Sequence, residues 1–131
     1  MMQIRIVTPQ GVYMEREIQE IHVTTVEGER TILSNHAPLF ASLVACPLIL
    51  RVDGDERYYA ISGGLLQVGN NQVTILTDAI EGTDEIDIER ARRALERAQE
   101  RIEKKDTNTN MRRSELALAR AINRIRVYEH H

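Results

Sequence analysis

The chain has 131 residues, of which 42% are hydrophobic and 28% are charged, and its formal net charge is −3. This length and this proportion of hydrophobic to charged residues are typical of a soluble domain with a small appendage. The weakly negative net charge argues against a general nucleic-acid-binding protein. The single cysteine, Cys46, excludes an internal disulfide and is typical of a reducing compartment. No apolar run long enough to span a membrane and no signal-peptide pattern occurs, so we expect neither membrane insertion nor secretion by a recognisable signal.

Charge is distributed unevenly along the chain. Residues 1–81 carry five arginines against ten acidic residues, whereas residues 82–131 carry twelve basic residues against ten acidic ones. Of the 17 basic residues, fifteen are arginines, whose forked guanidinium suits bidentate contacts to carboxylates or phosphates. The two compositions predict two modules.

The first 80 residues are predicted to form short strands separated by turns. The strand segments are rich in β-branched and aromatic residues, and turn sequences such as Asp53-Gly54 and Asn70-Asn71 separate them. The predicted strands are residues 2–8, 17–28, 48–52, 57–62, 64–69 and 72–77. Strands at this spacing, with no helical period between them, predict an antiparallel β-sandwich or barrel.

The apolar period becomes helical after Asp78. The seam of the first predicted helix is Ile88, Ala91, Leu95, Ala98 and Ile102, and that of the second is Met111, Leu118, Ile122 and Ile125. The polar residues 106–110 predict a turn between them, so the two helices are expected to form an antiparallel hairpin. Because alanine buries little apolar area, we expect this hairpin to be marginal alone and able to leave its docking site.

Arginines line the outer side of both predicted helices. At about 100° per residue, the positions away from the seams are Arg90, Arg93, Arg97 and Arg101 on the first helix and Arg113, Arg120 and Arg124 on the second. One interpretation is structural, with the arginines paired to nearby glutamates, Asp87 as an N-cap, and Ile86 with Ala91 as a hydrophobic staple. The other interpretation is a surface that holds a polyphosphate. Spacing alone leaves both open.

Three stretches of sequence, in a fixed order, resemble one family. They are VTPQGVY at 7–13, EGERTILSNHAPL at 27–39 and SGGLLQVGNNQVTILTDAIE at 62–81, and the two helices follow them. Over nearly its full length the chain resembles the ε subunits of rotary, F-type proton-translocating ATP synthases. It departs from the family pattern at Ser34-Asn35, where Pro-Gly is common, but asparagine tolerates the left-handed backbone that such a turn requires.

The resemblance implies an α+β fold with an N-terminal antiparallel β-sandwich at residues 1–82 and a C-terminal antiparallel two-helix hairpin at residues 83–131. It implies a non-catalytic rotor subunit that couples the catalytic head to the membrane ring and inhibits ATP hydrolysis through a movable hairpin. The implied partners are the γ subunit, the membrane c-ring and, when the hairpin is extended, the α and β subunits, with no nucleic acid. The implied location is the cytoplasmic face of the bacterial cell membrane, as a peripheral membrane protein.

Some bacterial members of this family bind ATP on the hairpin through an Ile/Leu-Asp-x-x-Arg-Ala motif, which is complete here at residues 86–91. Their sites also use an acidic residue before the hairpin, a further arginine on the first helix and two arginines four apart on the second. The implied ATP site therefore consists of Glu81, Ile86, Asp87, Arg90, Ala91, Arg97, Arg120 and Arg124. ATP is expected as a regulatory ligand, with or without Mg²⁺. The chain has no Gly-x-x-x-x-Gly-Lys-Ser/Thr loop, so we expect a site that senses ATP without hydrolysing it.

Catalytic and metal-binding functions have little support in the residues. Ser34 and His36 share a turn, but nothing specifies a third group that would orient a catalytic base, so no catalytic residue is predicted. His22, His130 and His131 lack metal-ligand spacing, and the last two are expected to form a disordered end.

Two binding functions complete the alternatives. The glutamates between the arginines, with no interleaved aromatic residues, argue against an RNA-binding hairpin. A general protein-interaction adaptor of the same shape, with no dependence on nucleotide, stays open. Within the family resemblance, His36 is expected to pack or to contact a partner, and Glu29 to contact the polar loops of the ring.

Overall fold

The computed structural model describes residues 1–104 and 111–130. The predicted turn at 106–110 and His131 lie outside the described residues. The ten strands are β1 (Met2–Thr8), β2 (Gly11–Ile18), β3 (Glu20–Thr25), β4 (Gly28–Leu33), β5 (Leu39–Leu43), β6 (Cys46–Val52), β7 (Asp55–Ile61), β8 (Gly64–Gly69), β9 (Gln72–Leu76) and β10 (Ile80–Gly82). A one-turn 3₁₀ helix (Thr83–Glu85) leads to α1 (Ile88–Lys104) and α2 (Met111–Glu129).

The strands form one continuous hydrogen-bonded sheet folded over a single core. Its order is β10-β7-β6-β3-β5-β8-β9-β1-β2, and β4 pairs with β3 beside this path. The sheet bends so that β2 comes into contact with β6, which gives two layers. Buried positions alternate along the strands as in β6, where Cys46, Leu48, Leu50 and Val52 are buried and the residues between them are partly exposed. The predicted fold class, a β-sandwich followed by two helices, is confirmed.

Tight turns hold the register of the sheet where the sequence predicted them. Asp53 and Gly54, between β6 and β7, have φ of 52° and 84°, and Asn70 and Asn71, between β8 and β9, have φ of 51° and 57°. Two consecutive residues with positive φ form the hairpin turn that matches the twist of paired strands. Asn35 also has a positive φ, 64°, so the expectation for the Ser34-Asn35 turn is confirmed.

The strand predictions needed three corrections. The segment 17–28 was predicted as one strand, but the chain bends at Gln19 and divides it between β2 and β3. The strands β4, β5 and β10 and residues 11–16 of β2 were missed. In β4 the reason is its polar start, since Gly28, Glu29, Arg30 and Thr31 precede its first apolar residue. The prediction of antiparallel pairing is wrong for β1 and β9, which pair in parallel with Ile4 opposite Val73. The rest of the sandwich provides the long crossover that a parallel pair requires.

The seam predicted for the second helix describes only part of its packing. Met111, Leu118, Ile122 and Ile125 are each half-buried, whereas the fully buried positions of α2 are Ser114, Ala121, Asn123 and Val127. This helix packs on α1 and also on β6 and β7, so it has two covered sides. The second side was missed because Val127 is its only large apolar residue among the buried positions.

Residues 1–82 are expected to fold without the hairpin, because every buried member of the main core lies between Met2 and Ile80. The fragment should unfold in one cooperative transition when thermal denaturation is followed by circular dichroism, with the full chain as the reference. A gradual loss of β-structure with no cooperative transition would show that the hairpin is part of the core.

Candidate functional site

A small contact between α2 and the outer face of β7 holds the hairpin on the sandwich. Val127 is fully buried against Ala60 and Ile86, with Tyr58 and Tyr128 packed around them. Asn123 is 5% exposed, and its Nδ2 donates a hydrogen bond to the carbonyl oxygen of Ile61 at 3.2 Å. We call Asn123 and Val127 the docking face of α2.

The start of α1 is fixed by the motif at residues 86–91. The carboxylate of Asp87 accepts a hydrogen bond from the backbone N–H of Arg90 at 3.1 Å, and its carbonyl oxygen accepts one from the N–H of Ala91 at 3.0 Å. Asp87 is therefore the N-cap of α1, as predicted. Ile86 is 7% exposed and lies in the apolar contact with Val127, so it ties the beginning of α1 to the docking face.

A cleft of about 450 Å³ opens between the end of the sandwich and the two helices. We call it the arginine cleft. Its lining residues are Glu81, Glu85, Asp87, Arg90, Ala91, Ala94, Arg97 and Arg124. Three guanidinium groups from two helices thus meet three carboxylates that come from β10, the 3₁₀ helix and the N-cap of α1. The volume lies within the range of small-molecule sites in proteins.

An ion pair spans the arginine cleft. Arg124 Nε donates to Glu81 Oε1 at 2.6 Å, and the two side chains are 32% and 31% exposed. Glu81 belongs to β10, which pairs with β7, so this bond joins α2 to the edge of the sheet. A partly exposed pair of this kind contributes modestly to stability, but it fixes where both side chains point.

Six of the eight predicted ATP-site residues line the arginine cleft, and two do not. Ile86 is buried in the docking contact. Arg120 is exposed and lies one turn before Arg124, beside a separate small cavity of about 10 Å³ between α2 and β7. On α1, Arg90 and Arg97 each come one position before a buried alanine, Ala91 or Ala98. These two arginines therefore lie at the side of the buried face and not opposite it, and the cleft lies on that side of the helix.

Sequence reasoning missed Glu85 and Ala94. Glu85 lines the cleft from the 3₁₀ helix, and its carboxylate accepts hydrogen bonds from the N–H of Gly82 at 2.9 Å and from the hydroxyl of Tyr13. The contact with Tyr13 spans 72 positions of sequence, so no local pattern could have revealed it. Ala94 could have been found, since it lies one turn from both Arg90 and Arg97 on a helix.

The two predicted partner-contact residues lie at opposite ends of β4. Glu29 is exposed near the β3–β4 turn, and His36 follows the end of β4. At about 3.3 Å per residue, the extended strand from Glu29 to Leu33 spans about 13 Å, so the two residues do not lie in one contact patch. His36 Nδ1 contacts the backbone carbonyl oxygen of Ala37 at 2.7 Å. This nitrogen is therefore paired with the backbone and not with the hydroxyl of Ser34.

The helix α2 ends at Glu129, and the next residue, His130, has a defined place against the sandwich, which differs from the predicted disordered end. Its ring stacks on Tyr58 with centroids 4.8 Å apart and an interplanar angle of 4°. The Tyr58 hydroxyl donates to Glu56 Oε2 at 2.9 Å, and this bond raises the pKa of Tyr58 above its usual value. The stack adds a second attachment of α2 to β7.

Comparisons with known proteins agree with this architecture of a β-sandwich carrying a docked helical hairpin. A family model described as the beta-sandwich domain of the ATP synthase delta/epsilon chain matches residues 1–83, and one described as its long alpha-helix domain matches residues 84–129. The chain therefore belongs to the ATP synthase delta/epsilon family, and the resemblance seen in the sequence is confirmed.

Individual relatives cover nearly the whole chain. The ATP synthase epsilon chain of Clostridium novyi is 43% identical over 123 residues, which is 93% of each chain. That of Bacillus velezensis is 42% identical over 124 residues, or 95% of this chain and 94% of the relative. A chain in the solved structure of the Euglena gracilis mitochondrial ATP synthase (OSCP/F1/c-ring) superposes with a TM-score of 0.79 at 27% identity, over 88% of this chain and 74% of that one. Within residues 1–104 and 111–130, neither helix has the length and hydropathy of a membrane-spanning segment.

Replacing Val127 by Asp is expected to release α2 from the sheet. An unpaired carboxylate at this buried position would lose several kcal/mol of solvation, which exceeds what the few apolar neighbours contribute. Hydrogen exchange followed by mass spectrometry should show faster exchange over Met111–Glu129, with β1 and β9 unchanged. Leu116→Asp is the matched control, because Leu116 is on the same helix but 46% exposed. Equal exchange in the two variants would show that the docking face does not hold the hairpin.

Proposed function

We propose that the protein is a non-catalytic subunit of the central stalk of a bacterial F-type ATP synthase. In this proposal the sandwich joins the γ subunit to the membrane c-ring at the cytoplasmic face of the cell membrane. The hairpin is a movable brake on ATP hydrolysis, and ATP bound in the arginine cleft holds it docked. The family membership and the likeness to a chain of a mitochondrial F1/c-ring assembly support the place in the complex.

The observation that carries the ATP proposal is the composition of the arginine cleft. Its walls come from three separate parts of the chain, namely β10, the region from the 3₁₀ helix into α1, and α2. A ligand that contacts all three can be held fully only when the hairpin is docked. ATP would thus bind the docked form in preference to the extended one, and a ligand shifts a conformational equilibrium only through such a difference.

The charges of the cleft suit a polyphosphate. Arg90, Arg97 and Arg124 can each make charge-assisted hydrogen bonds to phosphate oxygens, which contribute about 1.5–3 kcal/mol apiece. Each carboxylate of the cleft already has a protein donor: Arg124 for Glu81, Tyr13 and Gly82 for Glu85, and the N–H of Arg90 for Asp87. We therefore expect any Mg²⁺ that accompanies the nucleotide to be held by its phosphates.

When the hairpin leaves the sandwich, the arginines of both helices become available to other partners. We expect this basic surface to meet acidic loops of the α and β subunits and to resist rotation in the direction of hydrolysis. The small docking contact supports such a movement, since among the described residues only Ile86 and Val127 are large aliphatic side chains buried in it. Burial of two such side chains contributes only a few kcal/mol.

The isolated chain is expected to bind ATP more tightly than ADP, and Asp87→Ala with Arg90→Ala should abolish binding. The pair of changes removes the N-cap that fixes α1 and one phosphate-binding guanidinium. Isothermal titration calorimetry measures the affinity. The matched control is Arg93→Ala with Glu96→Ala, which removes one arginine and one acid from exposed positions of the same helix outside the cleft. If the Asp87→Ala, Arg90→Ala variant keeps its affinity for ATP, the arginine cleft is not the ATP site.

ATP is expected to shift the hairpin towards the docked form, and Arg120→Ala with Arg124→Ala should remove this response while leaving the complex assembled. Moving the equilibrium from 1:99 to 99:1 needs about 5.5 kcal/mol of differential binding, which two or three arginine–phosphate contacts can supply. Of the two single variants, Arg124→Ala should have the larger effect, because only Arg124 lines the cleft.

The shift can be followed by energy transfer between labels on Gln10→Cys and Leu116→Cys, both of which replace exposed residues. Cys46 is 3% exposed and burial raises the pKa of its thiol, so we expect this native cysteine to react slowly with the label. If saturating ATP does not change the inter-label distance in the otherwise unchanged chain, the proposed movement of the hairpin is rejected, even when ATP binds. The protein would then be an adaptor without nucleotide dependence.

A further inference from the structure

Glu85 forms a wall between two clefts. On one side it lines the arginine cleft, and on the other it lines a cleft of about 670 Å³ that also contains Tyr13, Tyr58 and His130. Glu85 therefore lines the same cleft as the three guanidinium groups that face the proposed nucleotide. The groups that hold this carboxylate in place determine whether it competes with a phosphate for the arginines.

Two donors hold one oxygen of Glu85. The N–H of Gly82, the last residue of β10, lies 2.9 Å from Oε1, and the hydroxyl of Tyr13 donates to the same atom. Tyr13 is in turn fixed by Tyr59, whose ring meets it edge-on with centroids 6.3 Å apart and an interplanar angle of 90°. Burial and the bond to Glu85 raise the pKa of Tyr13 well above its usual value, so its hydroxyl stays a proton donor at neutral pH.

We propose that Tyr13 is a positioning residue of the nucleotide site, which acts by holding the carboxylate of Glu85 away from the arginines of the cleft. This inference rests on the proposed function. It adds to it a residue of the sandwich, from β2, that lies outside the motif at residues 86–91.

The physical reason is competition for the same cations. Without the Tyr13 hydroxyl, the carboxylate of Glu85 keeps only the N–H of Gly82 and can rotate towards Arg90, Arg97 or Arg124. A carboxylate paired with one of these groups neutralises it and repels the phosphates at short range, where the Coulomb energy is largest. Removing the charge of Glu85 should then undo the effect of removing the hydroxyl.

The test is calorimetric ATP titration of the full chain and three variants. Tyr13→Phe should bind ATP about tenfold more weakly, which corresponds to about 1.4 kcal/mol. Glu85→Gln should bind about two- to threefold more tightly than the unchanged chain, since a negative charge near the phosphates is lost. The double variant Tyr13→Phe, Glu85→Gln should regain the affinity of Glu85→Gln to within about twofold.

Glu56→Gln is the matched control for Glu85→Gln, because it removes the charge of another carboxylate that accepts a tyrosine hydroxyl, outside the arginine cleft. Its affinity should match that of the unchanged chain. Phenylalanine at position 13 keeps the ring against Tyr59, and a thermal melt of each variant checks the fold. If the melting temperature falls in Tyr13→Phe and stays low in the double variant while affinity recovers, the inference is supported, since affinity then follows charge and not stability.

Three results would overturn the inference. Unaltered affinity in Tyr13→Phe would show that the hydroxyl has no part in binding. Equal weakening in Tyr13→Phe and the double variant would show that Tyr13 acts on the shape of the 3₁₀ helix and not on the charge of Glu85. Absence of ATP binding by the unchanged chain would reject the proposed function itself, and the role of Tyr13 with it.

Discussion

The docking of α2 on β7 is the contact on which the rest of the structure depends. The sandwich has its own core between Met2 and Ile80, but the hairpin is joined to it through a few side chains around Val127. Such a contact buries little apolar area, as the movement in the proposed function requires. It is large enough to bring α1, α2 and the end of β10 together, and the arginine cleft exists only while it is made.

Polar groups give this small contact its geometry. Asn123 is buried and bonds to the backbone of β7, while its Oδ1 accepts no hydrogen bond from the described residues. Arg124, the next residue, pairs with Glu81 at the sheet edge. Buried polar groups add little net stability but penalise every arrangement in which they lose their partners. They therefore favour one register of α2 on the sheet.

The arginine cleft shows how one set of residues can satisfy both interpretations that the sequence left open. Asp87 is an N-cap, so the structural interpretation of the motif is right about its local role. The same cap points the first turn of α1 towards Glu81 and Arg124, so a structural residue also shapes the cleft. The three arginines of the cleft are balanced by three carboxylates. A bound polyphosphate would have to displace these carboxylates from the arginines or bind beside them. The bonds from Tyr13 and Gly82 to Glu85 bear on that balance directly.

The sequence by itself determined the local features: the alternation of the strands, the positive-φ turns at Asp53-Gly54 and Asn70-Asn71, the cap at Asp87, and the residue types of the site. These follow from neighbours within a few positions, where backbone preference and side-chain chemistry act directly. Only the tertiary structure decided the parallel pairing of β1 with β9, the burial of Ile86, the separation of Arg120 from the cleft, and the contact of Tyr13 with Glu85. Each of these depends on segments far apart in the chain, whose meeting is set by packing of the whole sandwich and not by any local pattern.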